Sequence, residues 1–346
     1  MKILKSLDIW IITSLTGIIL YAAFNIFGIY HQNILQYFAF IITGIAAFAF
    51  FYKAGLQLFR DNYIALFAVF LFLFIATLLF GENIRGSKRW IDILVFNFQT
   101  SEFYKPFFTI IIASLLSTQN RFTHRRLLIT FFIVGISFFF IFIQPDLSTA
   151  VMFLSVFSIM FYFSGVPSKT VLKCITVIFL AIPFVWFILK PYQQGRIIGF
   201  MNPDIDPQGL SYNLHQSIIT IGSGNILGKG LGMSTQSRYK FLPEYHTDFA
   251  FASLVEQFGF VGGAIVIILF GVILYRLFNK AASKHNDSFS YLFIIGIISF
   301  IGIPIFVNIG MNMGLLPVTG IALPFISYGG SSIVSTMIML ALALSI

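Results

Sequence analysis

Two carboxylates eight residues apart, Asp248 and Glu256, are the groups in this sequence best suited to acid–base catalysis. On a helix this spacing is about two turns, which places both side chains on one face. A carboxylate at the mouth of an apolar helix is partly desolvated, which raises its pKa and makes it a stronger base. The alternative interpretation is a structural pair neutralised by arginines. A metal site is weaker, because His246 and Asp248 lie two residues apart and no third ligand is indicated.

Basic residues that could bind phosphate lie together in one polar segment of the chain. Arg85, Lys88, Arg89 and Trp90 form a basic, aromatic cluster there. Arginine and lysine donate charge-assisted hydrogen bonds to phosphate oxygens, which favours recognition of a phosphate headgroup. Trp and Arg are also common at membrane surfaces, so a plain anchor is the alternative interpretation.

Lys105 is a charged residue at the start of an apolar segment. A charge in that position is costly unless it reaches the membrane interface or has a partner. The sequence therefore predicts either a functional lysine or a lysine with a nearby counter-charge.

The glycine-rich segment Gly222–Gly232 resembles a nucleotide-binding loop but lacks its requirements. Gly230 follows Lys229 where Ser or Thr is needed, and Ser223 stands where the first glycine should be. We predict that this segment makes tight backbone turns beside a ligand or another helix.

The composition of the chain indicates which elements position these residues. Of 346 residues, 58% are hydrophobic and 10% are charged, and the mean hydropathy is +0.93. Soluble domains carry about 25% charged residues, so a soluble enzyme, a nucleic-acid-binding domain and a disordered chain are excluded. The single cysteine, Cys174, permits no internal disulfide. The prediction is an all-α polytopic integral membrane protein.

Apolar windows without Lys, Arg, Asp or Glu predict about ten transmembrane helices. The clear windows are 9–29, 34–51, 62–80, 127–143, 147–166 and 257–275. Two weaker windows are 103–118 and 171–189, which have lysines at their edges. The uncharged stretch 288–346 is too long for one span, and its Gly/Pro cluster divides it into 289–311 and 327–346. The first window is too long for a signal-peptide core and is expected to be the first span.

The distribution of charge sets the orientation of the helices. With the N-terminus inside, cytoplasmic segments hold 12 of the 21 basic residues, and both termini are cytoplasmic. Two long external segments result, at about 81–105 and 190–248, the second between helices 7 and 8. Only three of the 12 acidic residues fall inside. This favours the external face as the working side, although long soluble loops also need charges.

The ordered motifs along most of the chain resemble those of one family, the SEDS (shape, elongation, division and sporulation) membrane proteins. The matching residues are Gly86–Ile91, Phe98–Glu102 with Lys105, Gln144–Thr149, Arg196 with Asn202–Pro203, Gln216–Gly224, Gly228–Gly232, Thr235–Gln236, Phe241–Glu244, His246–Phe249, Glu256 with Phe258–Gly259, Gly314–Gly320 and Leu323–Ser332. The sequence departs from the family pattern at Thr100, Ser148, Asn225 and Gln257. The resemblance implies a single SEDS-type transmembrane domain over residues 1–346, and the ten-helix topology agrees with it.

The resemblance implies a peptidoglycan glycosyltransferase that uses lipid II. It places the protein in the bacterial inner (cytoplasmic) membrane as a multi-pass protein, with its active site on the external side. It makes Asp248, in the motif His246–Phe249, the essential residue. It also implies a partner, a class B penicillin-binding protein that acts as a transpeptidase. The short tails favour a RodA-like member, acting in elongation, over an FtsW-like member.

As a hypothesis, Asp248 deprotonates the 4-hydroxyl of a lipid II GlcNAc as it attacks the anomeric carbon of the lipid-linked glycan. One direct displacement converts the α-linked donor into a β-linked product, without a covalent intermediate. The candidates for substrate binding are Arg89, Lys105 and Arg196 for the pyrophosphate, Trp90 for lipid or sugar, Glu256 for tuning Asp248 or orienting a basic residue, and Glu244 and His246 from the adjoining motifs. A divalent cation, Mg²⁺ or Mn²⁺, could assist, but the sequence shows no cage for it, and no organic cofactor is implied.

Two further functions fit parts of the sequence. A lipid II flippase would explain intramembrane charge and helices broken by Gly and Pro. It also needs polar groups that are accessible from both sides, and no acidic group lies in the inner halves of the predicted helices. A non-catalytic scaffold for the transpeptidase would leave the dense external charges unexplained.

Overall fold

The computed structural model describes residues 8–84, 87–93, 96–117, 124–173, 176, 180, 186–187, 189–203, 206, 209 and 211–346. The helices are α1 Ile9–Tyr30, α2 Ile34–Asp61, α3 Tyr63–Phe80, α4 Thr100–Leu116, α5 His124–Ile143, α6 Leu147–Phe163, α7 Pro191–Met201, α8 Tyr212–Ser223, α9 Thr235–Arg238, α10 Ala250–Ser283, α11 Ser288–Asn312 and α12 Gly330–Leu344. Most of the predicted helix 171–189 lies outside the described residues, as do Arg85 and Cys174.

The helices form because long runs of the chain contain few groups that would be costly in hydrocarbon. Among the described residues, six helices, α1, α2, α3, α5, α10 and α11, are long and apolar enough to cross a membrane. α6 and α12 are shorter apolar helices. The prediction of a polytopic helical membrane protein is confirmed, with one addition, a small β-sheet.

The first of the two segments predicted to be external is folded rather than an open loop. Three antiparallel strands, β1 Glu82–Ile84, β2 Ser87–Ile93 and β3 Phe96–Gln99, follow one another in the sheet. In β2 the exposed Lys88 and Asp92 occupy one face, and Ser87 and Arg89 occupy the other. The sheet ends where α4 begins at Thr100, three residues before the predicted start of this helix at 103, so Lys105 lies inside a helix as predicted.

The second external segment also contains regular structure. The helices α7 and α8 and the single turn α9 lie within the predicted loop 190–248. α10 begins at Ala250, seven residues before the predicted start of its span, and ends at Ser283, beyond the predicted end. It tolerates Glu256 because hydrogen bonds satisfy that carboxylate, as described below.

The centre of the bundle is formed by α4, α11 and α12, around which the other helices pack. α12 runs along α2 and α4, α10 runs along α1, and α11 contacts α4, α6 and α10. Aromatic rings fill the middle, where Phe153 lies 4.9 Å from both Phe108 and Phe300 between ring centroids. Outer helices expose large side chains such as Phe72 and Phe260, as expected for a surface that faces lipid.

Candidate active site at the start of helix α10

Asp248 lies two residues before α10, at the end of a tight turn. Glu244 has a left-handed backbone (φ +49°), and its carbonyl accepts hydrogen bonds from the N–H groups of Thr247 and Phe249, both at 3.1 Å. This turn directs the chain into α10 and leaves the side chain of Asp248 half-buried. The carboxylate therefore stands at the mouth of an apolar helix, as the sequence predicts.

Two buried asparagines hold the main chain of Asp248. Nδ2 of Asn308 and Nδ2 of Asn312 donate to the carbonyl of Asp248 at 2.9 and 3.1 Å. Oδ1 of Asn312 accepts from the N–H of Ala252 at 3.1 Å, and both asparagines are fully buried. Sequence reasoning missed them. The available signal was two amides one helical turn apart in an uncharged apolar helix, where unsatisfied polar groups are costly.

The side chains of Arg196 and Asp248 both lie close to Gly320, in the connection between α11 and α12. A methyl group on the Cα of Gly320 would lie 3.4 Å from Oδ2 of Asp248 and 3.8 Å from Nη1 of Arg196. Gly320 has a left-handed backbone (φ +76°), which favours glycine. Arg196 is exposed, and its guanidinium carbon lies 6.0 Å from the ring centroid of Tyr192. The segment 190–248, which is predicted to be external, thus places a carboxylate and a guanidinium at one accessible point.

Glu256 lies beside a basic residue, Lys229, which agrees with one of the two roles that the sequence suggests for it. Asp248 precedes α10, so the two carboxylates are not residues of one helix and the predicted common helix face is wrong. The buried carboxylate of Glu256 accepts hydrogen bonds from the N–H groups of Thr235, Gln236 and Ser237, at 2.8–3.1 Å. Nζ of Lys229 lies 3.1 Å from Oε1 of Glu256. Glu256 therefore binds the external loop to α10.

The glycine-rich segment inserts into a break in α10. At Gly259 the helix changes direction (φ +69°), and the N–H groups of Phe260 and Val261 donate to carbonyls of that segment at 2.9 and 3.1 Å. In return, the N–H groups of Lys229 and Gly230 donate to carbonyls of α10 at 2.9 and 3.0 Å. The predicted tight turns beside another helix are confirmed.

Arg89 joins the β-sheet to the turn between α5 and α6. Its Nε donates to the carbonyl of Gln144 at 2.8 Å, its Nη2 donates to the carbonyl of Pro145, and its Nη1 lies 3.5 Å from Oδ2 of Asp146. Trp90 lies beside it, with the guanidinium carbon 5.9 Å from its ring. These contacts satisfy carbonyls beyond the end of α5 and fix the sheet in place.

Lys105 has the partner that its burial requires. Nζ of Lys105 donates to both carboxylate oxygens of Glu102 at 2.6 Å, and the two side chains are 7% and 12% exposed. The carbonyl of Glu102 accepts from the hydroxyl of Ser335 at 2.6 Å. The pair is a compact, nearly neutral unit that ties α4 to α12.

A hydrogen bond joins the sheet side of the site to Gly320. Asp146 caps α6 by accepting from the N–H of Thr149 at 3.2 Å, and the hydroxyl of Ser148 donates to the carbonyl of Thr319 at 2.6 Å. Thr319 precedes Gly320. Arg89 and Asp146 are therefore part of the frame around Asp248 and Arg196.

His246 and Glu244 shape the turn before Asp248. The ring of His246 stacks on Tyr30 with centroids 4.5 Å apart, and the N–H of Tyr328 donates to the carbonyl of His246 at 2.8 Å. A carboxylate oxygen of Glu244 accepts from the hydroxyl of Thr247 at 3.0 Å. Burial raises the pKa of Tyr245, which lies between them in sequence, above its usual value.

The family profile described as "Cell cycle protein", for FtsW, RodA and SpoVE, matches residues 3–346. The chain belongs to the FtsW/RodA/SpoVE family. A similar relative is the probable peptidoglycan glycosyltransferase FtsW of Thiomicrospira cyclica, which is 36% identical over 81% of this chain and 73% of its own length. The peptidoglycan glycosyltransferase RodA of Treponema pallidum is 31% identical, with 83% of each chain covered.

A solved structure of similar fold matches 97% of this chain and 96% of its own chain, with 25% identity and a TM-score of 0.83. Its description reads "Structural coordination of polymerization and crosslinking by a peptidoglycan synthase complex". The predicted preference for a RodA-like over an FtsW-like member is not supported, because relatives with both names match this chain.

Proposed function

We propose that this protein is a peptidoglycan glycosyltransferase that polymerises lipid II at the external membrane face and releases undecaprenyl pyrophosphate. The observation that carries the proposal is the meeting of Asp248 and Arg196 at Gly320, where a base and a phosphate-binding group share one accessible point. The names of the relatives in Thiomicrospira cyclica and Treponema pallidum support the same activity.

In the proposed reaction, Asp248 takes the proton of the acceptor GlcNAc 4-hydroxyl. The hydroxyl oxygen attacks the anomeric carbon of the lipid-linked donor, and the bond from that carbon to the pyrophosphate breaks. A single displacement inverts the α-linkage to β, so no covalent sugar–enzyme intermediate forms. The two asparagine hydrogen bonds to the main chain of Asp248 hold the base before substrate arrives, and such positioning lowers the barrier.

Arg196 is the proposed partner of the leaving pyrophosphate. Its guanidinium donates charge-assisted hydrogen bonds to phosphate oxygens as negative charge develops on them. Trp90 is the proposed contact for lipid or sugar. Arg89, Lys105, Glu244, His246 and Glu256 act in the proposal through the frame that holds the reacting groups. The described residues hold no cluster of three or more His, Cys, Asp or Glu suited to a metal ion, so we derive no step through a divalent cation.

The proposal includes a membrane partner and a location. A class B penicillin-binding protein would cross-link the glycan as it leaves Asp248, and the solved synthase complex of similar fold supports such an assembly. The protein would lie in the bacterial inner membrane with Asp248 on the external side. Relatives named FtsW and RodA both match, so depletion in cells separates the roles, with filaments expected for division and rounded cells for elongation.

The test is glycan polymerisation by purified protein in detergent with lipid II and a divalent cation. Reactions run with and without the cognate transpeptidase made catalytically dead. We expect polymer from wild type and none from Asp248→Asn. Asp92→Asn, which changes an exposed carboxylate on β2, is the matched control and should retain activity. Full activity of a folded Asp248→Asn protein would exclude this residue as the base.

Transport is a second candidate, because α10 is broken at Gly259 and its backbone is completed by another segment. Broken helices of this kind bind substrates in secondary transporters. If wild type makes no polymer while its complex is folded, a lipid II flipping assay in vesicles follows. Flipping by wild type would then favour transport.

A further inference from the structure

A cavity of about 640 Å³ lies between α3, α4 and α5, at the end of the bundle away from the β-sheet. By the predicted orientation of the helices, this end faces the cytoplasm. The lining residues are Tyr63, Ile64 and Phe67 of α3, Ser114 and Leu115 of α4, and Arg125, Arg126, Ile129 and Ile133 of α5. None of them belongs to the candidate active site.

The wall of the cavity changes from charged to apolar along α5. Arg125 and Arg126 lie in the first turn of α5 and are exposed, whereas Ile129 and Ile133 follow on the next turns. Seven residues of helix separate Arg126 from Ile133, or about 10 Å along the axis. Phe67 lines the cavity from the opposite helix, α3. A ligand with a charged head and an apolar tail matches this gradient.

A second polar group lines the cavity independently of the arginines. The hydroxyl oxygen of Ser114 is buried and has no hydrogen-bond partner among the described residues. Other hydroxyls of these helices have partners, as Thr130 does in the carbonyl of Arg126 at 2.9 Å and Tyr104 does in the hydroxyl of Ser137 at 3.0 Å. Ser114 therefore offers a donor to a ligand, at an energetic cost when none is bound.

We propose that this cavity binds the phosphodiester headgroup of an anionic phospholipid of the cytoplasmic leaflet. Arg125 and Arg126 donate charge-assisted hydrogen bonds to the phosphate, Ser114 donates one more, and an acyl chain lies along Ile129 and Ile133. The acidic residue nearest in sequence to a lining residue is Asp61 of α2, two positions before Tyr63. Its Oδ1 accepts a hydrogen bond from Nε2 of Gln57 at 2.8 Å. The positive N-terminal end of α5 adds to the attraction for an anion.

A lipid site differs in its binding behaviour from an orientation signal and from a site for a phosphate ion. Arginines near a cytoplasmic helix end also set orientation, and any basic surface attracts anionic lipid in general. A free phosphate ion would use the arginines but gain nothing from the apolar floor. A specific lipid-binding site requires both the two arginine charges and the open cavity.

The experiment titrates phosphatidylglycerol onto delipidated full-length protein in detergent and counts bound lipids by native mass spectrometry. Phosphatidylcholine tests the need for net negative charge, and inorganic phosphate tests the free ion. We expect one saturable phosphatidylglycerol, weaker binding of phosphatidylcholine, and no displacement by millimolar phosphate. Displacement by phosphate, or equal binding of both lipids, would overturn the proposal.

Two variants test charge and space separately. Arg125→Ala with Arg126→Ala should weaken phosphatidylglycerol binding about 30-fold, at about 1 kcal/mol for each basic residue. Ile129→Trp fills the cavity and keeps both charges, and it should also abolish the saturable site. The control, Lys169→Ala with Lys173→Ala, removes two exposed charges elsewhere and should bind as wild type. Equal loss in the control, or wild-type binding by Ile129→Trp, would contradict a lipid site.

Discussion

The position of Asp248 depends on groups that bind its main chain. The carbonyl of Asp248 accepts two amide hydrogen bonds from α11, and Gly320 leaves room beside its carboxylate. These two amides bond the main-chain carbonyl of Asp248 and not its carboxylate. The base and its support thus lie on different elements, which makes the support testable without altering the base.

We expect Asn308→Leu to reduce glycan polymerisation by about 10- to 100-fold, because a misplacement of about 1 Å at a reacting group has an effect of this order. Leucine is similar in size but leaves the carbonyls of Asp248 and Ile321 short of a donor. The loss should appear in kcat more than in KM, since Asn308 supports the base. Initial rates at varied lipid II concentration measure this split.

Ser299→Ala is the matched control for this helix. The hydroxyl of Ser299 is buried in α11 and bonds within the helix, to the carbonyl of Ile295 at 2.8 Å. Its removal should leave the rate near that of wild type. If Asn308→Leu polymerises at the wild-type rate, Asn308 does not position the base.

The catalytic roles of Asp248 and Arg196 come from the family motifs and stay predictions. The need of Lys105 for a partner followed from its place in an apolar helix, and Glu102 is that partner. Asn308 and Asn312 were not predicted. The importance of an amide in an apolar helix is evident only when its acceptor is known, and here the acceptor, the carbonyl of Asp248, lies 60 or more residues away in the sequence. The N–H groups that bond the carboxylate of Glu256 were not predicted either, because they come from a separate turn.

Among the elements, α10 is completed by a segment outside it. The break at Gly259 frees backbone groups, the glycine-rich segment satisfies them, and Glu256 holds the next turn, α9, from the same helix. Glycine is required at Gly228 and Gly259 because a Cβ at either would overlap backbone atoms. Loop and helix therefore form one folding unit.

We expect Glu256→Gln to lower the stability of this unit by about 1.5–3 kcal/mol, the usual contribution of a hydrogen bond to a charged group. An amide group would present a donor to the N–H groups that now bond the carboxylate. Lys229→Met should have a smaller effect, because Lys229 is 27% exposed and its loss leaves those N–H bonds in place. Thermal unfolding in detergent and limited proteolysis between residues 229 and 241 measure both.

Unchanged proteolysis in Glu256→Gln would show that the loop is held by the Gly259 backbone bonds alone.

The helices themselves were predictable from charge-free windows, whereas this unit was not. Its contacts join residues about 20 to 35 positions apart, through backbone groups that carry no mark in the sequence. The β-sheet was not predicted for a related reason, because its strands are short and lie in a polar segment.

The whole molecule has a charged end with Asp248 and an opposite end with the phospholipid cavity, and its orientation decides which faces outward. The positive-inside distribution predicts that the β-sheet end is external. We expect a membrane-impermeant maleimide, added to intact cells or spheroplasts, to label Asp92→Cys and Tyr239→Cys in a Cys174→Ser background. Both positions are exposed, on β2 and just after α9. Asn286→Cys, exposed between α10 and α11, should react only after the membrane is permeabilised. The opposite pattern would place Asp248 in the cytoplasm, where a transfer onto glycan outside the membrane is impossible, and the proposed function would fail with it.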